Sequence, residues 1–373
     1  MNKIRILHIG LSGNVGGIET VVKNWWDAID REQFAFDFVN VEDRPLAFEE
    51  EFLSGGCKIY KIAARKSDPV KSWRQLSILL NENRYDFVHH HVMGITWPEP
   101  TILAGKIPGT VPVIHNHTVF GKNSGTARRL LNLQGHVRLL GRSYLKLACS
   151  YEAGNSVFPE GTFQVINNGI DYAGKKFRAA DRDEIRARYH IPEDTVLIGH
   201  VGRACYEKNY PYLLKTVAEL LKSKKNVKCM LVGDVNEDPS VLSLVESLGI
   251  KEHVIFTGKV RNTEKYASAF DLFFFPSIYE GVSVSVLEAQ CSGLPCIVSR
   301  NISKETEISD LLTYIDIGDI KDGVRALSEA KLRSFEARSS VKLKPEFDIR
   351  RTVEDLMEFY RANYDPWDNA AEY

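Results

Sequence analysis

The sequence predicts an α/β protein of two doubly wound domains, each a parallel sheet covered by helices on both faces. Short apolar runs rich in Val, Ile and Phe alternate with segments of helical periodicity throughout the chain. The length of 373 residues is too great for one ordinary core and suits two domains of about 150 to 200 residues each.

The apolar runs are predicted to be strands, because buried strands of a parallel sheet are almost continuously apolar. The pattern of strands and helices restarts near residue 196. In the first half the predicted strands are Ile4 to Ile9, Phe34 to Val39, Lys58 to Ile62, Phe87 to His90, Val111 to His115, Leu145 to Cys149 and Gln164 to Ile166. In the second half they are Val196 to Val201, Lys228 to Val232, Val254 to Phe256, Leu272 to Phe275, Cys296 to Val298 and Tyr314 to Ile317.

The domain boundaries follow from these runs. We expect a first domain over 1–172, a charge-dense linker over 173–194 and a second domain over 195–347. The chain ends in a helical pattern, predicted at 348–364, with Ile349, Val353, Leu356 and Tyr360 on one face.

Composition excludes several classes of protein. The 48 Lys and Arg nearly balance the 49 Asp and Glu, so overall charge does not favour nucleic-acid binding. The six cysteines form no Cys-x-x-Cys pair and most fall in apolar runs, as buried thiols of a reducing compartment do. With neither a signal peptide nor an apolar stretch of about 18 residues, the protein is expected to be cytoplasmic.

The stretch from Pro100 to Tyr151 contains no Asp or Glu. Its cations are Lys106, Lys122, Arg128, Arg129, Arg138, Arg142 and Lys146. Over 128–147 an apolar seam accompanies the basic residues, namely Leu130, Leu133, Val137, Leu140, Tyr144 and Leu147. Such a helix can lie on an anionic membrane, and a core-facing helix with a solvated basic flank is an equal alternative.

Two glutamates, Glu280 and Glu288, stand in a predicted strand-loop-helix-strand unit between Asp271 and Ser299. Ligands of parallel sheets bind beyond the carboxyl ends of the strands, where Glu280 is expected. The helix that follows Gly281 would present its N-terminus to an anion such as phosphate. Alternatively, Ser285 and Glu288 form a capping box, which would make Glu288 structural.

The second domain opens with a strand and a loop that ends in charge, from Gly199 to Asn209. Arg203 and Lys208 are expected at the same sheet edge as Glu280. Two such cations can neutralise a diphosphate. The alternative is a solvated loop in which Lys208 pairs with Glu207.

The first domain offers a glycine-rich turn and a group of histidines. Gly16 and Gly17 favour close approach of a ligand to the backbone, although the Gly-x-Gly-x-x-Gly dinucleotide fingerprint is absent. His89, His90 and His91 end one predicted strand, and His115 and His117 end the next. A metal site is the less favoured interpretation, because successive strand residues face opposite sides and no Asp or Cys accompanies them. His117, beyond the apolar run, is the best candidate to hydrogen-bond a ligand.

Together these motifs resemble the retaining GT-B glycosyltransferases of family four (glycosyl transferases group 1), in particular the bacterial exopolysaccharide and capsular polysaccharide type. The resemblance covers nearly the whole chain. It is carried by Gly16 to Glu19 (GGIE), Ile114 to His117 (IHNH), Ala148 to Ser150 (ACS), Asn168 to Asp171 (NGID), His200 to Arg203 (HVGR), Glu207 to Asn209 (EKN), Val232 to Asp234 (VGD), Phe256 to Gly258 (FTG), Pro276 to Gly281 (PSIYEG), Leu287 to Gln290 (LEAQ) and Ser292 to Pro295 (SGLP).

The resemblance implies two Rossmann-like domains that face each other across a cleft. The first would bind the acceptor and the second the nucleotide-sugar donor, while the helix 348–364 would pack back on the first. Arg203 and Lys208 would bind the donor diphosphate, and Glu288 the ribose. Two departures concern the donor sugar, since Val235 stands where a second glycine is frequent, and Gly-Val-Ser at 281–283 replaces the frequent Gly-Phe-Gly.

The remaining implied roles concern the transferred sugar. Glu280 and the backbone of Gly281, Val282 and Ser283 would hold the donor sugar and its phosphate. His117 matches the family's active-site histidine, and Gly17 its phosphate-facing loop.

The implied activity is transfer of a hexose from a UDP-sugar to a hydroxyl of a lipid-linked saccharide, with retention of configuration. The reaction would need neither metal nor cofactor, and the protein would be cytoplasmic or peripheral on the plasma membrane. Alternatives are another GT-B activity such as a nucleotide-sugar epimerase, a non-catalytic partner in polysaccharide assembly and, last, a dehydrogenase of two Rossmann domains.

Overall fold

The computed structural model describes residues 3–65, 67–120, 125–235 and 238–365; Lys122 of the basic stretch lies outside them. The chain divides into two compact units. One comprises Met1–Gly169 and Glu346–Tyr373, the other Ile170–Pro345.

The first unit contains a seven-stranded parallel sheet. Its strands are β1 (Ile4–Ile9), β2 (Phe34–Asn40), β3 (Ile59–Lys61), β4 (Phe87–Val92), β5 (Val111–Asn116), β6 (Leu145–Ala148) and β7 (Gln164–Val165). Its helices up to this point of the chain are α1 (Gly17–Ala28), α2 (Glu49–Ser54), α3 (Pro69–Glu82), α4 (Glu99–Ala104), α5 (Thr126–Leu139) and α6 (Tyr151–Asn155). The spatial order β3-β2-β1-β4-β5-β6-β7 reverses direction between β1 and β4. Parallel sheets bind ligands at such switch points.

The second unit contains a six-stranded parallel sheet of order β10-β9-β8-β11-β12-β13, with its switch point between β8 and β11. Its strands are β8 (Val196–Val201), β9 (Val227–Val232), β10 (Val254–Gly258), β11 (Leu272–Phe275), β12 (Cys296–Ser299) and β13 (Leu312–Ile315). Its helices are α7 (Ala179–Arg188), α8 (Tyr210–Leu220), α9 (Ser240–Ser247), α10 (Thr263–Ala269), α11 (Val284–Cys291), α12 (Ile320–Glu329) and α13 (Phe335–Ser339).

Helices cover both faces of this second sheet, as β11 shows. Leu272 and Phe274 belong to one buried core, whereas Phe273 and Phe275 belong to another. Because side chains alternate along a strand, two cores on opposite faces require an almost continuously apolar sequence.

The predicted α/β fold of two parallel sheets with interleaved helices is confirmed, and all thirteen predicted strands are present. The last of them lies two residues earlier than predicted, at Leu312–Ile315. The segment 173–194, predicted as a linker, contains α7. Arg182 and Arg186 of α7 form ion pairs with Asp271 of 2.8 and 3.2 Å, which fixes this helix within the second unit.

The final helix, α14 (Ile349–Ala362), belongs to the first unit. Asp348 caps it by accepting a hydrogen bond from the backbone N–H of Arg350. Its buried face contains Ile349, Val353, Leu356 and Tyr360, which is the face that the periodicity predicts.

Candidate functional site

The candidate donor site lies at the carboxyl edge of the second sheet, at the switch point between β8 and β11. The loop after β8 contains Arg203, and a short 3-10 turn, Tyr206–Lys208, follows it. The loop after β11 contains Glu280 and leads into α11. Parallel pairing of β8 with β11 therefore brings the predicted cations and Glu280 to one edge.

Lys208 and Glu280 form an ion pair in which Nζ lies 2.6 Å from Oε2. The Lys208 ammonium also lies 4.4 Å from the centre of the Phe275 ring, a cation–π distance. Glu207 instead accepts a hydrogen bond of 3.0 Å from the Tyr279 hydroxyl. The alternative in which Lys208 pairs with Glu207 is therefore wrong.

Arg203 is exposed at the beginning of the same loop. Its charge helps to lower the pKa of Glu207: burial raises that pKa, but hydrogen bonds and the Arg203 guanidinium outweigh burial. The next residue is fixed, because the Ala204 N–H donates to the carbonyl of Asp234 at 2.9 Å. Arg203 thus projects from a well-anchored turn.

Helix α11 begins at Val284, with Ser283 as its N-cap residue and no side-chain cap bond. Ser285 therefore lies inside the helix, and the alternative in which Ser285 and Glu288 form a capping box is wrong. Because no side chain caps this end, the N–H groups of the first turn remain available to an anion.

The segment 281–283, which the resemblance assigns to the sugar and phosphate, is anchored by hydrogen bonds from residues 303 and 306. The Gly281 carbonyl accepts a bond of 3.3 Å from the Thr306 hydroxyl, and the Glu280 carbonyl accepts one of 3.0 Å from the Ser303 N–H. Val282 and Ser283 are buried. The backbone before α11 is therefore preorganised.

Glu288 has partners that the sequence did not indicate. Its Oε1 lies 3.0 Å from Lys175 Nζ, and its Oε2 accepts a bond of 3.2 Å from the Thr263 hydroxyl. Lys175 also pairs with Glu264 at 3.2 Å. Burial lowers the pKa of Lys175, but the two carboxylates outweigh burial and raise it above its ordinary value. A charged lysine therefore orients Glu288.

In the first unit, the turn after β1 brings Gly17 to the N-terminus of α1. Gly10 opens the turn with φ +108°, and a Cβ there would lie 2.2 Å from the carbonyl oxygen of His91. Only glycine fits this approach. A Cβ on Gly17 would meet no atom within 4 Å, so this N-terminus faces open space, as a phosphate-facing turn requires.

His117 follows β5 and belongs to a group of five histidines, called here the histidine cluster: His8, His89, His91, His115 and His117. Strand register explains the group, because His8 lies opposite His89 and His91 opposite His115. His90 faces the other side of the sheet, where its Nδ1 lies 3.3 Å from the Thr101 hydroxyl. The sequence prediction missed His8, which stands at the end of β1, although its strand position was a usable signal.

The histidine cluster is held by ring-to-ring hydrogen bonds. His8 Nδ1 lies 2.9 Å from His91 Nε2, and His91 Nδ1 lies 2.9 Å from His117 Nε2. His89 Nε2 lies 3.1 Å from His115 Nδ1. Burial lowers the pKa of His8 and of His117 to about 3, so these rings are neutral at physiological pH.

The basic stretch forms a shorter helix than predicted. α5 ends at Leu139, and Leu147 lies in β6. The alternative of a core-facing apolar seam is wrong, because Leu130, Leu133, Val137 and Leu140 are between 58% and 75% exposed. Gly135 lies on the opposite, buried side of the helix, where a Cβ would meet the carbonyl oxygen of Ile95. Among the described residues, no helix has the length and hydropathy needed to span a bilayer.

Comparison with known proteins agrees with this architecture. Residues 181–323 match the family model of glycosyl transferases group 1. EpsF of Bacillus subtilis (strain 168), described as a glycosyltransferase, is 31% identical over 325 residues, which are 84% of this chain and 84% of EpsF.

Two further relatives cover almost the whole chain. The Escherichia coli UDP-Gal:alpha-D-GlcNAc-diphosphoundecaprenol alpha-1,3-galactosyltransferase is 22% identical over 387 residues, with coverage of 96% and 97%. HepE from Anabaena, solved with UDP and glucose, superimposes with a TM-score of 0.77 at 16% identity, covering 96% of this chain and all of HepE. The structural likeness shows the GT-B fold that the sequence predicts.

Proposed function

Because the chain belongs to the glycosyl transferases group 1 family, we propose that it transfers a hexose from a UDP-sugar to a hydroxyl of a saccharide acceptor. The observation that carries this proposal is the 2.6 Å Lys208–Glu280 pair at the edge where α11 begins. It places a cation, a carboxylate and free helix N–H groups within one small region, which suits a sugar diphosphate.

Lys208 and Glu280 each change partner when the donor binds. The diphosphate replaces Glu280 as the partner of Lys208, and Arg203 supplies a second, forked contact. Glu280 is then free to accept hydrogen bonds from sugar hydroxyls. As the sugar departs, negative charge grows on the diphosphate, and Lys208, Arg203 and the N-terminus of α11 stabilise it without a metal.

The ribose is proposed to bind Glu288. A carboxylate has about four acceptor positions, so ribose hydroxyls can add to the contacts with Lys175 and Thr263 rather than replace them. Lys175 holds Glu288 in its orientation. This makes Lys175 a positioning residue of the donor site.

Retention of configuration is proposed to proceed by front-face attack, in which the leaving diphosphate accepts the proton of the acceptor hydroxyl. No side chain then acts as a general base. His117, a neutral ring whose pKa burial lowers to about 3, is suited to hydrogen-bond and polarise the transferred sugar.

The acceptor is proposed to be a lipid-linked saccharide of exopolysaccharide or capsule synthesis. Two observations support a lipid: the E. coli relative acts on a diphosphoundecaprenol-linked sugar, and α5 exposes a leucine-rich seam. Basic residues flank that seam, including Arg128, Arg138 and Arg142. Peripheral contact with an anionic membrane at the cytoplasmic face follows.

The decisive experiment incubates the purified chain with a panel of nucleotide sugars, with and without a diphosphoundecaprenol-linked sugar and with and without EDTA. We expect UDP to be released only when the acceptor is present, and EDTA to leave this release unchanged. NMR of the product should show that the sugar keeps the anomeric configuration that it had in the donor. Conversion of the donor alone to a second nucleotide sugar would instead identify an epimerase.

A further inference from the structure

The proposed function uses one member of the histidine cluster and leaves the other four without a role. Three of the cluster's buried nitrogens have no hydrogen-bond partner among the described residues: His8 Nε2, His115 Nε2 and His117 Nδ1. Unpaired buried polar atoms are costly. A bound ligand that accepts an electron pair from His115 Nε2 would remove the part of that cost that falls on this atom.

We propose that His91, His115 and His117 form a binding site for a divalent transition-metal ion of the Zn²⁺ class. One ring nitrogen from each of the three lies within 4.8 Å of the others. A tetrahedral Zn²⁺ with bonds of about 2.0 Å separates its ligand nitrogens by about 3.3 Å. His91 Nδ1 and His117 Nε2, now 2.9 Å apart, need to separate only slightly.

The hydrogen bonds around these rings present two of the three required lone pairs, and His117 presents the third at Nε2 when its proton lies on Nδ1. If His91 donates from Nε2 to His8 (2.9 Å) and His115 donates from Nδ1 to His89 (3.1 Å), then His91 Nδ1 and His115 Nε2 are unprotonated. His89 completes the series by donating from Nδ1 to the Tyr360 hydroxyl oxygen at 2.6 Å. Every ring is then neutral, and His8 and His89 orient the ligands from behind, as outer partners of metal sites do.

The three proposed ligands are all imidazole rings. Neutral imidazole is the form that binds metal. An all-nitrogen set favours Zn²⁺, Co²⁺, Ni²⁺ or Cu²⁺ over Mg²⁺ and Ca²⁺, which prefer oxygen ligands.

This triad is favoured over the second possible one, His8, His89 and His91. All three members of that alternative are buried, whereas His117 is only partly buried. His117 is therefore the least enclosed ligand of the proposed triad. This site shares His117 with the proposed transfer reaction, which itself needs no metal.

The test is titration of the tag-free, chelator-treated protein with Co²⁺, whose visible absorption reports nitrogen coordination. We expect one Co²⁺ per chain, displaced by Zn²⁺ and not by excess Mg²⁺. His91→Gln and His115→Gln should abolish the band. The matched control is His90→Gln, on the same strand but facing Thr101, which should leave it unchanged.

A second measurement on the unaltered chain keeps the proposal testable if the variants fail to fold. Zn²⁺ should raise the melting temperature and remain bound at one ion per chain after dialysis. Absence of both the Co²⁺ band and retained Zn²⁺ would overturn the proposal, as would loss of the band in His90→Gln. None of these experiments measures sugar transfer, so failure of the metal-site proposal is distinct from failure of the proposed function.

Discussion

Lys208 Nζ lies 2.6 Å from Glu280 Oε2, which joins the loops after two neighbouring strands at the switch point of the second sheet. Both side chains keep some exposure, 17% and 29%. The pair is thus only partly buried. Its charges are therefore available for ligand binding.

Glu280→Gln is expected to lower kcat for sugar transfer about 100-fold. The amide keeps the shape of the carboxylate but loses the negative charge, which balances Lys208 and strengthens the hydrogen bonds accepted from the sugar. The melting temperature should change little. Steady-state kinetics with calorimetry checks this. Glu246→Gln, which removes an exposed carboxylate of the same unit, is the control, and a kcat for Glu280→Gln within a few-fold of wild type would contradict the assignment.

Lys175→Met is expected to weaken UDP-sugar binding and to lower the free energy of unfolding by about 2 kcal/mol, because Glu264 and Glu288 lose the cation between them. Chemical denaturation and donor-binding calorimetry measure the two effects. The control is Lys222→Met, at an exposed ion pair, which should change neither the donor affinity nor the free energy of unfolding. Unchanged donor affinity in Lys175→Met would show that Lys175 does not position Glu288.

Arg338→Met is expected to lower the free energy of unfolding by about 3 kcal/mol. The Arg338 guanidinium is buried and donates to the carbonyls of Ala267, Phe270 and Ser292, which end α10 and α11. Loss of the side chain leaves these acceptors unpaired. Urea unfolding should show the loss, whereas Arg325→Met, at an exposed position, should leave the urea midpoint unchanged.

His200 is expected to make the fold sensitive to acid. Burial lowers its pKa to about 4, although the bond from Nδ1 to the Phe274 carbonyl acts in the opposite direction. Below the unfolded pKa of about 6.5, the unfolded chain binds a proton that the folded chain refuses. The contribution of His200 to the free energy of unfolding is therefore fully present above pH 6.5 and is lost as the pH falls towards 4.

The loss is about 1.4 kcal/mol per pH unit, or roughly 3 kcal/mol over that range. His200→Gln should remove this slope, so the difference in unfolding free energy between wild type and variant should shrink between pH 7 and pH 4. Denaturant titrations at several pH values measure it. Parallel curves for the two proteins would contradict the prediction.

Leu133→Glu is expected to reduce recovery with vesicles that contain anionic lipid, because the residue lies on the exposed seam of α5 (61% exposed). Flotation with anionic and with neutral vesicles measures the effect. Leu242→Glu, exposed on α9 of the other unit, is the control. Equal recovery of wild type with both vesicle types would exclude an anionic membrane surface as the partner.

The sequence by itself determined the strands and the sheet edge at which Arg203, Lys208 and Glu280 meet. These features are local: strands of a parallel sheet are continuous apolar runs, and residues after such runs gather at one edge. The position of Ser285 and the true length of α5 were not predictable in the same way, because helix ends depend on caps and packing as well as on periodicity.

Only the tertiary structure decided which charges pair. Lys208 had a sequence neighbour, Glu207, but bonds to Glu280, 72 residues away. Glu288 is held by Lys175, and His91 by His8, 83 residues away. Strand order causes the Lys208–Glu280 and His8–His91 contacts, because it brings β1 beside β4 and β8 beside β11. Distances across neighbouring strands cannot be deduced from spacing along the chain.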